Sequence, residues 1–174
     1  ELNGGTHMSF EDVAIMRSIP GMVVFEPTDS VQLKKLFPQI IEHYGPVYIR
    51  LFRKNAWSIF GESDSFTLGN GCLLRQGSEV TLFASGIMVK EALEAAEQLA
   101  GQGISAEVIN LHTIKPLDSE LVLASVTKTG CCVTAENANI IGGLGSAVSE
   151  CVSGGAPCPV LRVGVEDRFG EVGK

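Results

Sequence analysis

His7 follows Gly4, Gly5 and Thr6 in a stretch without helical or strand period, just ahead of a helix start. Its ring is therefore free to face a ligand or partner, where an imidazole could pass a proton near neutral pH; the alternative is a loop side chain without chemistry. Arg50, Arg53 and Lys54 end an apolar, β-branched run. Guanidinium groups so placed suit bidentate phosphate or carboxylate binding, and the plainer reading is an exposed basic edge. Gly142, Gly143 and Gly145 sit between a strand-like and a helix-like segment, where free N–H groups and the helix dipole could hold an anion. The spacing lacks the full G-x-G-x-x-G pattern, which favours structural helix entry or a subunit contact. Glu136 and Asn137, just upstream at a strand end, read as surface or capping residues by spacing alone. The three histidines, His7, His43 and His112, lie far apart and no cysteine clusters with them, so the polypeptide offers no metal-ligand spacing.

These residues are carried by alternating elements. Ser9 is predicted to cap a short helix with Asp12 as reciprocal partner, ended by Ile19, Pro20 and Gly21. Met22–Phe25 is a buried strand, Thr28 or Asp29 caps a second helix that Pro38 should kink or split, and 47–53 is a strand. Ser58–Gly71 reads as a linker feeding an edge strand at 72–75. Beyond it, strands at 80–84, 106–111, 131–135 and 160–165 alternate with helices at 89–100, 119–125 and 145–152. Such alternation builds a parallel sheet covered on both faces. The expected class is α/β: a partial α/β domain over 1–60, a linker over 61–72, and a doubly wound, mostly parallel domain over 73–174.

Composition narrows the possible roles. At 174 residues, 45% hydrophobic and 19% charged, the chain has globular material for a core, which excludes a disordered or fibrous protein. No apolar stretch approaches the roughly 20 residues that span a bilayer, so no membrane role is expected. A net charge of −7 argues against nucleic acid. Residues 1–60 hold six basic and six acidic side chains, whereas 61–174 hold seven and fourteen, a shift that supports a boundary near 60. Five cysteines without a C-x-x-C pair read as buried thiols in a reducing, cytoplasmic compartment. The start at Glu1 reads as neither a signal peptide nor a natural beginning, so a fragment of a longer chain is expected.

Taken in order, several words resemble the transketolase family over essentially the whole chain. Gly4-Gly5-Thr6-His7, Glu11–Arg17, Ile19-Pro20, Pro27-Thr28-Asp29 and Gly45–Arg50 with Arg53 are similar to the second half of its pyrimidine-binding domain. Val108–Asp118, Glu136-Asn137 with Ile141–Ala147, and Asp167–Gly170 resemble its C-terminal domain. The downstream words also occur in deoxyxylulose-phosphate synthases and in β subunits of 2-oxoacid dehydrogenases.

The resemblance implies a transferase that moves a two-carbon ketol unit between sugar phosphates of the pentose phosphate pathway, using thiamine diphosphate and Mg2+. It implies that His7 is catalytic near the reacting centre and that Arg53 binds the sugar phosphate. Asn3 stands where the family carries an aspartate that contacts a substrate hydroxyl, and Ala138 replaces a polar residue. The cofactor residues are implied to lie upstream of Glu1 or on another subunit. No cofactor is therefore expected on this length of chain, which should be inactive alone and need an N-terminal section or subunit. The family further implies a C-terminal helix after Gly170, missing or cut short here, and a homo-oligomer, in the simplest case a dimer, through the α/β domains. The alternatives are a non-catalytic assembly or regulatory module, or part of a 2-oxoacid dehydrogenase or deoxyxylulose-phosphate synthase-like enzyme. The motif Gly4–His7 with Arg53 favours the sugar phosphate over the 2-oxoacid.

Overall fold

The structure, a computed structural model, describes residues 8–52 and 57–170. Helix α1 (Asp12–Ser18) leads into strand β1 (Val23–Phe25), helix α2 (Ser30–Glu42) and strand β2 (Val47–Ile49). Then come β3 (Cys72–Arg75), β4 (Val80–Ala84), α3 (Met88–Ala100), β5 (Ala106–Asn110) and β6 (Thr113–Lys115). The chain finishes with α4 (Ser119–Thr129), β7 (Cys132–Asn139), α5 (Leu144–Gly155) and β8 (Val160–Val165). A five-stranded sheet has the order β3-β5-β4-β7-β8, parallel except for β3 against β5. This is the expected α/β class, and the apolar faces of its helices explain it. Val89, Ala92 and Ala96 of α3 bury against Leu82, Ala84 and Val108, while Leu144, Val148 and Val152 of α5 pack with Phe83, Ile109, Val122 and Val126.

The second sheet has the order β2-β1-β6, and its third strand adds to the expected strand at 106–111 and helix at 119–125 an element that the sequence reading did not contain. After β5 the chain crosses over at Leu111 and His112, and β6 pairs antiparallel with β1, setting Val24 opposite Lys115. Both crossing residues are buried. Three residues of alternating pattern are too few to announce a strand whose partner lies some ninety positions away.

Other local expectations meet competing forces. Asp29 caps α2 by accepting from the Gln32 N–H at 2.9 Å, and its second carboxylate oxygen takes the N–H groups of Ile59 and Phe60. The 61–72 segment therefore lies on α2, where Gln39 bonds Phe66 and Leu68. Pro38 does not split α2 into two elements. It occupies the exposed side while Leu36 and Ile40 bury beside Phe25, and that packing outweighs one lost backbone bond. Strand β7 runs four residues beyond Ala135 because its residues alternate in burial as far as Asn139. Ala138, in place of a polar residue, belongs to the main core. Among the cysteines, all free, Cys132 is buried and the other four are half-buried, so the expectation of buried thiols holds fully for one.

Candidate functional site

The carboxyl ends of β1, β2 and β4 and the middle of β7 deliver Glu26, Arg50, Ser85 and Glu136 to one seam between the two sheets. Arg50 is at its centre. Its Nε donates to Asp12 Oδ2 at 2.8 Å, its Nη1 to Glu26 Oε1 at 2.6 Å, and its Nη2 to the Ser9 carbonyl at 2.9 Å. The Tyr48 hydroxyl donates to the same Asp12 oxygen at 2.8 Å, and Ser85 Oγ donates to Glu26 Oε2 at 2.6 Å. Asp12 is thus not the reciprocal cap of Ser9. The α1 N-cap is Glu11 and makes no side-chain capping bond, since a nearby guanidinium is the stronger partner for the Asp12 carboxylate. Nor is Arg50 part of an exposed basic edge: it is 7% exposed.

Glu136 fills the glycine-rich entry of α5. Its Oε2 accepts from the Leu144 N–H at 2.7 Å and its Oε1 from the Gly145 N–H at 2.8 Å. A Cβ on Gly143 would lie 1.8 Å from Glu136 Oε2, so only glycine admits this approach. Gly86 serves Glu26 likewise: φ is +52°, and a Cβ would meet the carboxyl carbon at 2.7 Å. The capping reading of Glu136 and the structural reading of the glycines therefore describe this place. The segment before α1 is tied in as well, because the Phe10 carbonyl accepts from the Asn139 N–H at 2.8 Å.

Burial dominates the electrostatics. It pushes the Glu136 carboxyl up to about 7, aided by the charge of Glu26 and opposed by the two N–H bonds and by Arg17. It also raises Tyr48 to about 12, with Asp12 adding to the effect. Burial opposes the charge on Arg50, but the Glu26 and Asp12 carboxylates outweigh it and hold the guanidinium above its ordinary value. His112, fully enclosed beside Phe25 and Phe66, is pulled down to about 4 by burial.

The two buried groups that titrate act in opposite directions. Unfolded His112 takes its proton near 6.5 and folded His112 only near 4, so stability falls as pH drops through that window. Folded Glu136 holds its proton up to about 7 against 4.5 unfolded, so its contribution is present below 4.5 and is lost as pH rises through 7. His112→Gln should therefore remove the acid-side loss that this imidazole causes. The expected gain over wild type is about 1–2 kcal/mol at pH 4.5, relative to their difference at pH 7, read from urea midpoints.

The sequence-predicted site residues Asn3, His7 and Arg53 lie outside the described residues, as does Lys54. What the structure brings together is their flanks: Arg50, three residues before Arg53, holds the carbonyl of Ser9, two residues after His7. Asp12, Glu26, Tyr48 and Ser85 were not singled out as site residues from sequence. Glu26 and Ser85 each directly follow an apolar strand run, and that position is the signal that could have found them.

Among the described residues no group of three or more His, Cys, Asp or Glu side chains could hold a metal ion. The α5 N-terminus, the kind of place that binds a diphosphate in other folds, is filled by the chain's own carboxylate. The described residues thus do not fit the diphosphate and magnesium of the family's cofactor. An open cavity of about 390 Å³ between α1, β6, α4 and α5 is lined by Arg17, Lys115, Glu150 and Cys151. Its cations are already engaged, Arg17 with Glu150 and Lys115 with the carbonyls of Arg17 and Ile19. No described helix is long and apolar enough to cross a membrane.

Known proteins resemble this chain in sequence and in fold. Residues 69–174 match the family described as transketolase, C-terminal domain, and residues 1–57 match transketolase, pyrimidine binding domain. The chain is 65% identical over 173 residues to the 6-deoxy-6-sulfo-D-fructose transketolase subunit SqwH of Clostridium sp. strain MSTE9, covering 99% of this chain and 54% of that protein. It is 43% identical over 175 residues to a Methanocaldococcus jannaschii protein described as a transketolase C-terminal section, again covering 99% and 54%. A solved structure described as a split gene transketolase, inactive beta4 tetramer, superposes with a TM-score of 0.91 at 45% identity, covering 94% of this chain and 55% of that one. The chain spans about half the length of the curated relatives first matched. With a C-terminal-domain match over more than half its length and a pyrimidine-domain match before it, the chain belongs to the transketolase family.

Proposed function

We propose that this chain is the substrate-side section of a ketol-transfer enzyme, completed by an N-terminal section or subunit that carries thiamine diphosphate and magnesium. One observation carries the reading: 65% identity, across 99% of the chain, to a subunit named for a sulfosugar transketolase. The cofactor, held elsewhere, supplies the carbanion chemistry of carbon–carbon cleavage. In this reading His7 donates to or moves a proton at a substrate oxygen, and Arg53 grips the anionic end of the sugar. Asn3 offers a neutral amide to a hydroxyl where the family offers a carboxylate. The domain limits 1–60, 61–72 and 73–174, a homo-oligomer through the α/β domains and a cytoplasmic setting belong to the same proposal. The free cysteines support a reducing compartment.

The sequence resemblance implies a sugar phosphate, and the 65% identical relative favours a second substrate, a ketose whose terminal group is a sulfonate. Both anions present oxygens to a guanidinium, but phosphate carries about 1.5 to 2 charges near neutral pH and a sulfonate one. The test reconstitutes the full-length chain with its neighbouring subunit, thiamine diphosphate and Mg2+, and assays ketol transfer from both donors. Transfer is expected, with one donor preferred. Absence of cofactor binding, or no transfer from either donor, would replace the enzyme reading with a non-catalytic assembly module. In the active assembly His7→Ala should lower kcat by about 10²- to 10⁴-fold with the thermal midpoint unchanged. Unchanged turnover removes His7 from the site.

A further inference from the structure

The cavity of about 390 Å³ between α1, β6, α4 and α5 is lined by two cations and one carboxylate, and the three are not equally matched. Arg17 is paired with Glu150, whose side chain is 68% exposed. Lys115 has no such partner. Its Nζ donates to the carbonyls of Arg17 at 2.8 Å and Ile19 at 2.6 Å, which are neutral, and it enters no ion pair among the described residues. An ammonium carries three N–H donors, so this grip fixes its position, leaves one donor over and leaves its charge without a counter-ion. The residue is half-buried, where an unmatched charge costs more than on open surface.

We propose that this cavity binds a small organic carboxylate, its head on the Lys115 ammonium and its stem against Ile114 and Leu117. The charge count selects the head. Two cations and one carboxylate leave one positive charge, which a carboxylate cancels, whereas a phosphate brings about 1.5 to 2 negative charges and would be repelled by Glu150. The core supplies the stem's wall: Ile114 is 1% exposed within the main core and Leu117 packs against it. The volume falls among the roughly 300–1,000 Å³ of small-molecule sites. Because the chain carries a net charge of −7, no general positive field draws anions to it, and the selection is made by the local cations. The cavity shares no lining residue with the seam around Arg50, so its occupancy is separable from events there.

The experiment titrates the full-length protein with hexanoate, with hexanamide and inorganic phosphate as controls. It follows the heat of binding and the rate at which N-ethylmaleimide alkylates each cysteine. Hexanoate is expected to bind saturably and to slow alkylation of Cys151, which lines the cavity, while Cys72 and Cys131, outside it, react as before. Lys115→Met should weaken hexanoate by about 10- to 100-fold, the loss of one charge-assisted bond. Cys151→Phe, which fills the cavity and leaves the ammonium in place, should abolish binding. Hexanamide binding as tightly as hexanoate overturns the carboxylate head, and tighter binding of phosphate replaces it with an inorganic-anion site. No binding by wild type, binding that leaves Cys151 as reactive as before, or binding undiminished in Cys151→Phe overturns the proposal. The wild-type arms, hexanoate against hexanamide and the protection of Cys151, decide the matter even where a variant fails to fold.

Discussion

Gly143→Ala is expected to lower the unfolding free energy by about 3 kcal/mol, although it adds one methyl group at a helix start. The new carbon would fall 1.8 Å from Glu136 Oε2, so the carboxylate must leave the α5 entry. Its departure removes two charge-assisted bonds and leaves the buried N–H groups of Leu144 and Gly145 without acceptors. Release of a buried carboxylate that resists ionisation offsets part of the loss, which is why the figure is not larger. In a Glu136→Ala background the same glycine substitution should cost clearly less. A contact with the Asn139 carbonyl, 2.8 Å from the added carbon, remains to be relieved. Denaturant midpoints of the four proteins give the coupling, and an undiminished cost in the double variant would show that Glu136 is not what the glycine accommodates.

Arg50→Ala should cost more, about 3–5 kcal/mol, because it strands Asp12 and Glu26 as buried charges without a cation. Its signature is a dependence on the charge of the replacement. Arg50→Lys keeps a cation beside Asp12 and Glu26 and should lose clearly less than Arg50→Met, which is similarly long but neutral. Tyr48 and Ser85 keep one hydroxyl each on the carboxylates, which softens the loss without replacing the charge. Unfolding curves of the Lys and Met variants decide it: equal deficits would mean that the shape of the side chain, not its charge, is what matters.

Much of the architecture was legible in the order of apolar runs and breakers. The choice of Thr28 or Asp29 as a cap announced α2, and the alternation from Val80 onward announced the parallel sheet. Local patterns carried these, since a cap and its helix lie within four residues. Interactions over long sequence separations were illegible. Asp12 looked like half of a capping box until Arg50, 38 positions away, took its carboxylate. Arg50 looked exposed because a strand-end arginine gives no local sign that two carboxylates from other elements will enclose it. Of the surface or capping roles read for Glu136, the structure keeps the cap, whose two partners follow within nine residues, and buries the side chain. Strand β6 escaped notice for the same reason as Arg50: its partner is β1.

That strand changes what the boundary between the two matched family segments means. Thr113–Lys115 comes from the downstream stretch, yet it closes the upstream sheet, so a hydrogen-bonded ladder crosses the gap between 57 and 69. Heredity and mechanics thus divide the molecule in different places. Cutting at the hereditary line would leave β1 with one neighbour and β6 with none, and each piece would expose a strand edge that the other was made to cover. The two segments should melt as one cooperative unit, and pieces severed there should regain order chiefly by finding each other.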